Sequence, residues 1–357
     1  MQQAGADLFL VDSAELMTWI SGFGISETLY RGCLVPAEGE PWIVLRALDA
    51  PLARANSWIE TVLSYPDSDD PLEAVAVSIE TRGFADGVLG YDPNSYGHTT
   101  HRHRCLSERL PGLRWVGEPG ISDRLRAVKD DAEVTLLRRA ATIADRSMAE
   151  VRAAARTGLT VREAAAVAAS AYLRHGADDG QVGRIAKGRG GSGFLHAELN
   201  DHPLEPGDIL HCELVPRVQH YSARMMRPVV IDAPARELAE AAEALLAIQD
   251  AQYAAMQPGA LACDVDAVLR DAVLSQGLRD SYENVTGYTL GIYHRTPRSS
   301  DFSHVFLPTS RWRLEPGMVF HMYASARGLG FSDTILVTEE GPERLTRTER
   351  ALLRGTG

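Results

Sequence analysis

Short apolar runs separated by turn residues make up the first third of the chain. The predicted strands are Asp7–Val11, Gly32–Pro36, Trp42–Arg46 and Val88–Tyr91. Ala14–Ile20 and Pro51–Ser57 lie between them and have the apolar spacing of short helices. Because strands and helices of this length alternate, the pattern predicts an α/β domain.

Longer amphipathic helices replace this pattern after about residue 125. The predicted helices are Lys129–Ala155, Val161–Arg174, Ala235–Met256 and Val265–Gln276. Thr160 and Glu163 have the spacing of a capping box at the start of the second helix. The change of pattern divides the chain, without a flexible linker, into a domain of residues 1–125 and a domain of residues 126–357.

The second domain contains an internal repeat. Two strand pairs are predicted, Ile209–Val215 with Tyr221–Ile231 and Val319–Tyr323 with Thr334–Val337. An LEPG turn precedes each pair, at residues 204–207 and 314–317, and two helices precede each turn. The repeat predicts two helix–helix–hairpin units whose strands form one curved sheet in an α+β domain.

Polar residues interrupt these otherwise apolar strands. His211 and Glu213 lie on the strand face opposite Leu210 and Cys212, and a buried acid is costly unless it is paired. The other polar candidates of the two hairpins are Arg224, Arg227, His321, Tyr323, Ser332 and Asp333. They predict either a binding site on one sheet face or an antiparallel sheet with one wetted face.

Composition and charge exclude several classes of function. The 357 residues contain 36 Lys and Arg against 48 Asp and Glu, a net charge of −12, which disfavours nucleic-acid binding. The chain is 45% hydrophobic but has no apolar run near the ~20 residues of a membrane span. The four cysteines are scattered, and the N-terminal residues do not resemble a signal peptide, so we expect a cytoplasmic protein. His98, His101 and His103 could suggest a metal tract, but their position favours a solvated helix end.

Three stretches resemble the pita-bread family of creatinase, aminopeptidase P, prolidase and methionine aminopeptidase. They are Leu204–Arg227, Thr286–Gly291 and Leu314–Leu345. The resemblance implies an α+β fold with a creatinase-type N-terminal α/β domain in residues 1–125. It also implies a pita-bread catalytic domain in residues 126–357, built from the two helix–helix–hairpin repeats.

The resemblance also locates the family's metal positions. In metallopeptidases of this fold, two Asp, one His and two Glu hold a pair of divalent ions. The matching residues here are Glu213, Arg224, Tyr288, Tyr323 and Ser332. A guanidinium cannot ligate a cation, and phenols are poor ligands at neutral pH. We therefore expect no metal centre and no other cofactor.

Creatinase and ectoine hydrolase resemble this chain in lacking a working metal centre, and they hydrolyse non-peptide C–N bonds with side chains. The histidine that acts as general acid and base in creatinase matches His196. Ectoine hydrolase-like proteins carry Glu at the first Asp position, which matches Glu213. The resemblance thus implies a metal-independent hydrolase, or C–N lyase, with His196 and Glu213 as its catalytic residues.

The substrate implied is a small amino-acid-like molecule that bears a carboxylate. Arg224 and Arg298 would hold the carboxylate. Tyr288, Tyr323 and His321 would donate hydrogen bonds to a developing oxyanion. The substrate-binding residues implied are Arg224, Tyr288, His294, Arg298, His321 and Tyr323. In creatinase the neighbouring subunit's N-terminal domain also contributes, which suggests Phe23 and Arg31 and a homodimer.

Two other functions stay open at this point. The chain could be a non-catalytic pseudo-peptidase that serves as a binding module, or an Xaa-Pro-type metallopeptidase with atypical ligands. At the residue level, His196 could be a structural histidine, and Glu213 could form a structural ion pair with Arg224.

Overall fold

The computed structural model describes residues 5–24, 28–188, 193–293 and 304–356, and the chain divides into two compact units. The N-terminal unit is Met1–Arg126 with Ile292–Ser303, and the C-terminal unit is Ala127–Gly291 with His304–Gly357. Within the described ranges, no helix combines the length and hydropathy that a membrane span requires.

A six-stranded mixed sheet forms the centre of the described part of the N-terminal unit. Its strands are β1 (Leu8–Val11), β2 (Gly32–Pro36), β3 (Trp42–Arg46), β4 (Thr61–Tyr65), β5 (Val88–Tyr91) and β6 (Arg114–Gly117). They lie in the order β4-β3-β2-β1-β5-β6. The β1–β2 and β2–β3 pairs are antiparallel, whereas β3–β4, β1–β5 and β5–β6 are parallel.

Helices cover both faces of this sheet. They are α1 (Ala14–Ser21), α2 (Ala50–Asn56), α3 (Pro71–Thr81), α4 (Thr100–Arg109) and α5 (Ile121–Arg126). Leu8 and Leu10 of β1 pack with α3 and α4, whereas Phe9 and Val11 pack with α1 and α2. The alternation of side chains along β1 therefore supplies both apolar layers, and the predicted α/β domain is confirmed.

His98 is buried rather than solvated, so the prediction of a solvated helix end is wrong for this residue. His98 precedes α4 in the sequence, and its ring centroid is 4.6 Å from that of Tyr91. His98 Nε2 is 3.0 Å from His103 Nδ1, and His98 Nδ1 is 3.3 Å from Asp12 Oδ2. The polar partners are Asp12, which follows β1, and His103 of α4, and Asp12 is too distant in the sequence to be expected beside His98.

The C-terminal unit begins with the long helices that the apolar spacing predicts. They are α6 (Asp131–Ala154), α7 (Val161–Arg174), α8 (Arg236–Ala254) and α9 (Ala262–Ser275). The Thr160 side chain accepts a hydrogen bond from the Glu163 backbone N–H, and the Glu163 carboxylate accepts from Thr160 N at 2.8 Å. The predicted capping box is therefore confirmed, and α6 begins with a second one at Asp130.

Strands of both repeats join in one nine-stranded sheet in the described part of this unit. The strands of the C-terminal unit are β7 (Ile185–Gly188), β8 (Ile209–Leu214), β9 (Arg217–Val218), β10 (Tyr221–Ser222), β11 (Met225–Val230), β12 (Gly287–Thr289), β13 (Val305–Phe306), β14 (Val319–Ala326), β15 (Leu329–Thr338), β16 (Gly341–Arg344) and β17 (Leu353–Arg354). The main path is β13-β12-β14-β15-β11-β8-β7, with β16 on β15 and β17 on β11, while β9 and β10 pair separately. The two hairpins, β8–β11 and β14–β15, meet where β11 lies beside β15.

The two LEPG turns make the same backbone hydrogen bonds. The Leu204 carbonyl accepts from Gly158 N at 2.8 Å, and the Leu314 carbonyl accepts from Gly259 N at 2.7 Å. The glycine of each turn has a left-handed backbone, with φ of 84° and 90°. Equivalent hydrogen bonds at equivalent positions confirm the predicted duplication.

One face of the nine-stranded sheet is apolar and is covered by helices. Met322 and Ile335 pack with residues of α8 and α9, and Ala324 and Phe331 belong to a second cluster with the same helices. These residues alternate along β14 and β15 with polar ones, so the polar residues occupy the opposite face. The candidate site lies on that opposite face.

A fully buried ion pair lies on the helix-covered face instead. Arg227 and Asp333 are both 0% exposed, and Arg227 Nη2 donates to Asp333 Oδ1 at 2.7 Å. Thr346 Oγ1 donates to the same oxygen at 2.7 Å. Tyr253 and Arg350 contact the other carboxylate oxygen, Asp333 Oδ2. The suggestion that Arg227 and Asp333 belong to the site face is therefore wrong, because each is one residue out of phase with that face.

Candidate functional site

Strand register aligns the polar residues of the two hairpins in rows across one sheet face. The first row contains Glu213, Ser332 and Tyr323, with the apolar Met226 between Glu213 and Ser332. The second row, one step along the strands, contains Thr334, His321 and Tyr288. Because side chains two residues apart share a face, the two rows form one continuous polar surface.

Glu213, Arg224 and Tyr288 form a hydrogen-bonded chain at the centre of this surface. Arg224 Nη1 lies 3.1 Å from Glu213 Oε1 and 2.7 Å from the Tyr288 hydroxyl oxygen, so it donates to both. The three residues are only 7%, 7% and 8% exposed. Burial raises the pKa of the Tyr288 phenol, which therefore stays protonated. The acid and the guanidinium compensate each other, and this part of the site has no net charge.

Backbone contacts explain why Arg224 points towards Glu213. The predicted strand Tyr221–Ile231 is interrupted between β10 and β11, and Arg224 lies in the gap. Its backbone N–H donates to Thr334 Oγ1 at 2.9 Å, and that hydroxyl donates back to the Arg224 carbonyl at 2.9 Å. The threonine replaces the missing ladder bonds and fixes the position of the arginine.

His321 is a neutral hydrogen-bonding group within the site. It is 0% exposed, and burial together with the Arg224 charge holds its pKa well below the ordinary value. Its Nε2 is 2.7 Å from Ser332 Oγ, whereas Nδ1 has no hydrogen-bond partner among the described residues. If the serine donates to Nε2, the imidazole carries its proton on Nδ1 and can donate it to a bound molecule.

Tyr323 has a partner that leaves its own proton available. Asn284 Nδ2 donates to the Tyr323 hydroxyl at 3.1 Å, and Arg279 Nη1 donates to Asn284 Oδ1 at 3.0 Å. The Tyr323 ring stacks on His321, with centroids 5.3 Å apart. Burial raises the pKa of Tyr323, so the phenol is a hydrogen-bond donor at neutral pH.

His211 extends the polar surface beyond Glu213. It is 1% exposed, and in the described part of the chain neither ring nitrogen has a hydrogen-bond partner. Its ring packs edge-on against Phe194, with centroids 4.6 Å apart. A Cβ on Gly330 would lie 3.1 Å from both rings, so the glycine makes room for them. Two unsatisfied buried nitrogens are costly unless a ligand or water binds them.

Burial of His211 predicts a specific dependence of stability on pH. Burial lowers the pKa of His211 to about 3, whereas an unfolded histidine titrates near ~6.5. Between these values the unfolded state binds a proton that the folded state does not, so stability falls as the pH falls. We expect His211→Leu to weaken this dependence by about 1 kcal/mol per pH unit between about pH 6 and about pH 4.

Urea unfolding at several pH values measures this effect. His202→Leu is the matched control, because His202 is exposed and its loss should leave the slope unchanged. Equal slopes for the wild type and His211→Leu would contradict the prediction.

The donor set does not fit the pair of metal ions that the fold family implies. Arg224 occupies the centre of the site, and its guanidinium would repel a cation and cannot ligate one. Tyr288 is protonated through burial, and Ser332 is bound to His321. Among the described residues, no group of three or more His, Cys, Asp or Glu side chains is arranged to hold a metal ion.

The structure brings Glu213, Arg224, Tyr288, His321 and Tyr323 together on this surface, but not the other predicted residues. His196 ends the 3₁₀ turn Gly193–His196 and is exposed, and no hydrogen bond joins it to Glu213 within the described ranges. His294 and Arg298 lie outside the described residues. Phe23 packs against the core of the N-terminal unit, and Arg31 lines a cavity in that unit.

The sequence does not reveal two contributors to the site, Asn284 and Arg279, and it names a third, His211, only as a polar candidate beside Glu213. Asn284 and Arg279 precede β12 and reach Tyr323 only because of the fold. His211 has a signal in the sequence, since it shares a strand face with Glu213. Its importance is apparent only from the missing partners of its ring nitrogens.

The comparisons with known proteins account for this architecture. Residues 135–339 match the model of metallopeptidase family M24, and residues 1–128 match that of the creatinase/prolidase N-terminal domain. The chain belongs to metallopeptidase family M24. Membership confirms the predicted fold class, a creatinase-type N-terminal domain with a pita-bread domain.

Relatives within family M24 have different named activities. The ectoine hydrolase of Halomonas elongata is 26% identical over 375 aligned positions, which cover 99% of this chain and 94% of that protein. The Xaa-Pro dipeptidase of Pyrococcus furiosus is 28% identical and covers 64% of this chain and 66% of that protein. The structure of X-Pro aminopeptidase from Thermotoga maritima superposes with a TM-score of 0.83 at 19% identity and covers 99% of both chains. Hydrolases thus share this fold, and these relatives include both a small-molecule hydrolase and peptidases.

Proposed function

We propose that this member of family M24 is a metal-independent hydrolase of a C–N bond in a small substrate that carries a carboxylate. The observation that carries the proposal is the position of Arg224, whose Nη1 donates to both Glu213 and Tyr288 in the centre of the site. A positively charged side chain there replaces a metal cation as the partner of the buried carboxylate. A relative that aligns over almost the whole chain, the ectoine hydrolase of Halomonas elongata, supports a small-molecule substrate.

The buried donors fit the charge that develops during hydrolysis. Water adds to the carbon of the C–N bond, the bond to nitrogen breaks, and the nitrogen takes up a proton. His321 Nδ1 and the Tyr323 hydroxyl are neutral donors that can stabilise negative charge on the reacting centre. Their environment excludes water, which strengthens such hydrogen bonds.

His196 and Glu213 are the proposed catalytic residues. His196 moves the proton between water and the leaving nitrogen, and Glu213 polarises the water or the scissile group. The exposed position of His196 allows exchange of protons with solvent, while Glu213 lies beside the neutral donors. Arg298 and Arg224 bind the substrate carboxylate in this proposal.

Removal of divalent metal is expected to leave the activity unchanged. The chain is first freed of metal with a chelator, and its content of Mn, Zn and Fe is measured. It is then assayed with ectoine, with other small cyclic or linear C–N substrates that carry a carboxylate, and with an Xaa-Pro dipeptide. We expect hydrolysis of a small substrate by the metal-free chain, and no hydrolysis of the dipeptide after metal is added.

Two outcomes would contradict the proposal. A stoichiometric metal with metal-dependent dipeptide hydrolysis would make the chain a peptidase with atypical ligands. Saturable binding of a small molecule or peptide without turnover of any of these substrates would make it a binding module. A Tyr323→Phe variant is a further test of the site, because it removes one neutral hydrogen-bond donor and should lower turnover.

A further inference from the structure

A cavity with two arginines lies within the N-terminal unit. Its volume is about 420 Å³, and its lining comes from the segment before β2 and from the starts of α3 and α4. Arg31 and Arg102 each contribute a guanidinium group to the lining of the cavity, and Tyr30 also lines it. Arg31 is only 5% exposed, so one of the charges is held inside the fold.

Arg102 is positioned but not neutralised. Its guanidinium carbon lies 4.6 Å from the centre of the Tyr30 ring, and its Nη1 donates to the Gly97 carbonyl at 2.7 Å. Tyr30 is itself fixed, because its hydroxyl donates to Asp12 Oδ2 at 2.9 Å. Among the described residues, no carboxylate lies within ion-pair distance of Arg102, and the bond to Gly97 uses one of its five N–H donors.

The carboxylate on the lining is already occupied. Asp70 caps α3, and its Oδ1 accepts a hydrogen bond from Leu72 N at 2.9 Å. Its Oδ2 pairs with Arg109, which also contacts Glu73. Asp70 therefore does not compete for Arg102, and the first turns of α3 and α4 add partial positive charge to the cavity.

We propose that this cavity binds a small organic anion. The carboxylate or phosphate group of the ligand faces the guanidinium groups of Arg31 and Arg102, which match the geometry of such oxyanions. Its carbon body lies against Leu29 and Leu72, which also line the cavity. The volume exceeds the need of a bare ion and falls within the ~300–1,000 Å³ of small-molecule pockets.

Calorimetric titration of the full chain with phenyl phosphate and with benzoate tests this site. We expect saturable binding of at least one probe at one site per chain, and the stronger of the two identifies the anion class. Arg102→Gln is expected to weaken binding about tenfold, the effect of losing a charge-assisted hydrogen bond. Arg104→Gln is the matched control on the same helix, since Arg104 is exposed and pairs with Glu108.

Further variants separate this site from the proposed active site and from loss of folding. Arg102→Lys keeps the charge, and its binding should lie between those of the wild type and Arg102→Gln. Tyr323→Phe alters the C-terminal unit and should not change the affinity. The proposal is overturned if neither probe saturates, if Arg102→Gln binds like the wild type, or if Tyr323→Phe abolishes binding. None of these measurements requires turnover, so they are independent of the proposed hydrolysis.

Discussion

An Arg224→Met variant is expected to lose about 3–5 kcal/mol of unfolding free energy, because it leaves the Glu213 carboxylate buried without its charge partner. Glu213 is 7% exposed, and the one hydrogen bond that its other oxygen accepts from the described residues comes from Arg184 N at 3.3 Å. Tyr288 loses a hydrogen-bond donor at the same time. Urea unfolding followed by circular dichroism measures the loss, and hydrogen exchange of β8 and β11 shows where it arises.

The double variant Arg224→Met/Glu213→Gln should recover most of this loss, because the uncompensated charge has been removed. Arg217→Met is the matched control, since Arg217 is also buried but its partner Asp179 is 47% exposed and can return to water. Stability equal to the wild type in Arg224→Met would contradict the interpretation of a coupled pair. An equal loss in Arg217→Met would assign the cost to the arginine side chain rather than to Glu213.

Most of the fold is predictable from the chain because it depends on local periodicity. Val161–Arg174 is found as predicted, with its capping box, and the LEPG turns correctly indicate the duplication. Elements with weaker patterns were missed, such as β4 and α3 in the N-terminal unit. The local pattern predicts the strand Tyr221–Ile231 as continuous. The interruption at Arg224 is not predictable from it, because the hydroxyl that binds the Arg224 backbone belongs to Thr334, 110 residues away.

The candidate site is less predictable, because its partners come from distant segments. The period of two correctly places Glu213 and Cys212 on opposite faces of the strand. Arg227 and Asp333 are nevertheless expected at the site, although the structure places both on the helix-covered face of the sheet. The role of His321 depends on Ser332, which approaches it across two strands. Such pairs follow from register, and a single strand sequence does not contain the register.

A His196→Ala variant is expected to lose about 10²–10⁴-fold in turnover of the substrate found in the assays above, the usual contribution of a general acid–base. The loss should occur without a change in folding, because His196 is exposed and exposed substitutions change stability by no more than about 0.5 kcal/mol. His202→Ala is the matched control, an exposed histidine six residues further along the same stretch.

The manner of the loss distinguishes proton transfer from a positioning effect. An alanine at an exposed site leaves space for an added base, so imidazole in solution should restore part of the turnover of His196→Ala but not of Glu213→Gln. Turnover equal to that of the wild type would remove His196 from the mechanism. Glu213 and the neutral donors around it would then have to perform both proton transfers.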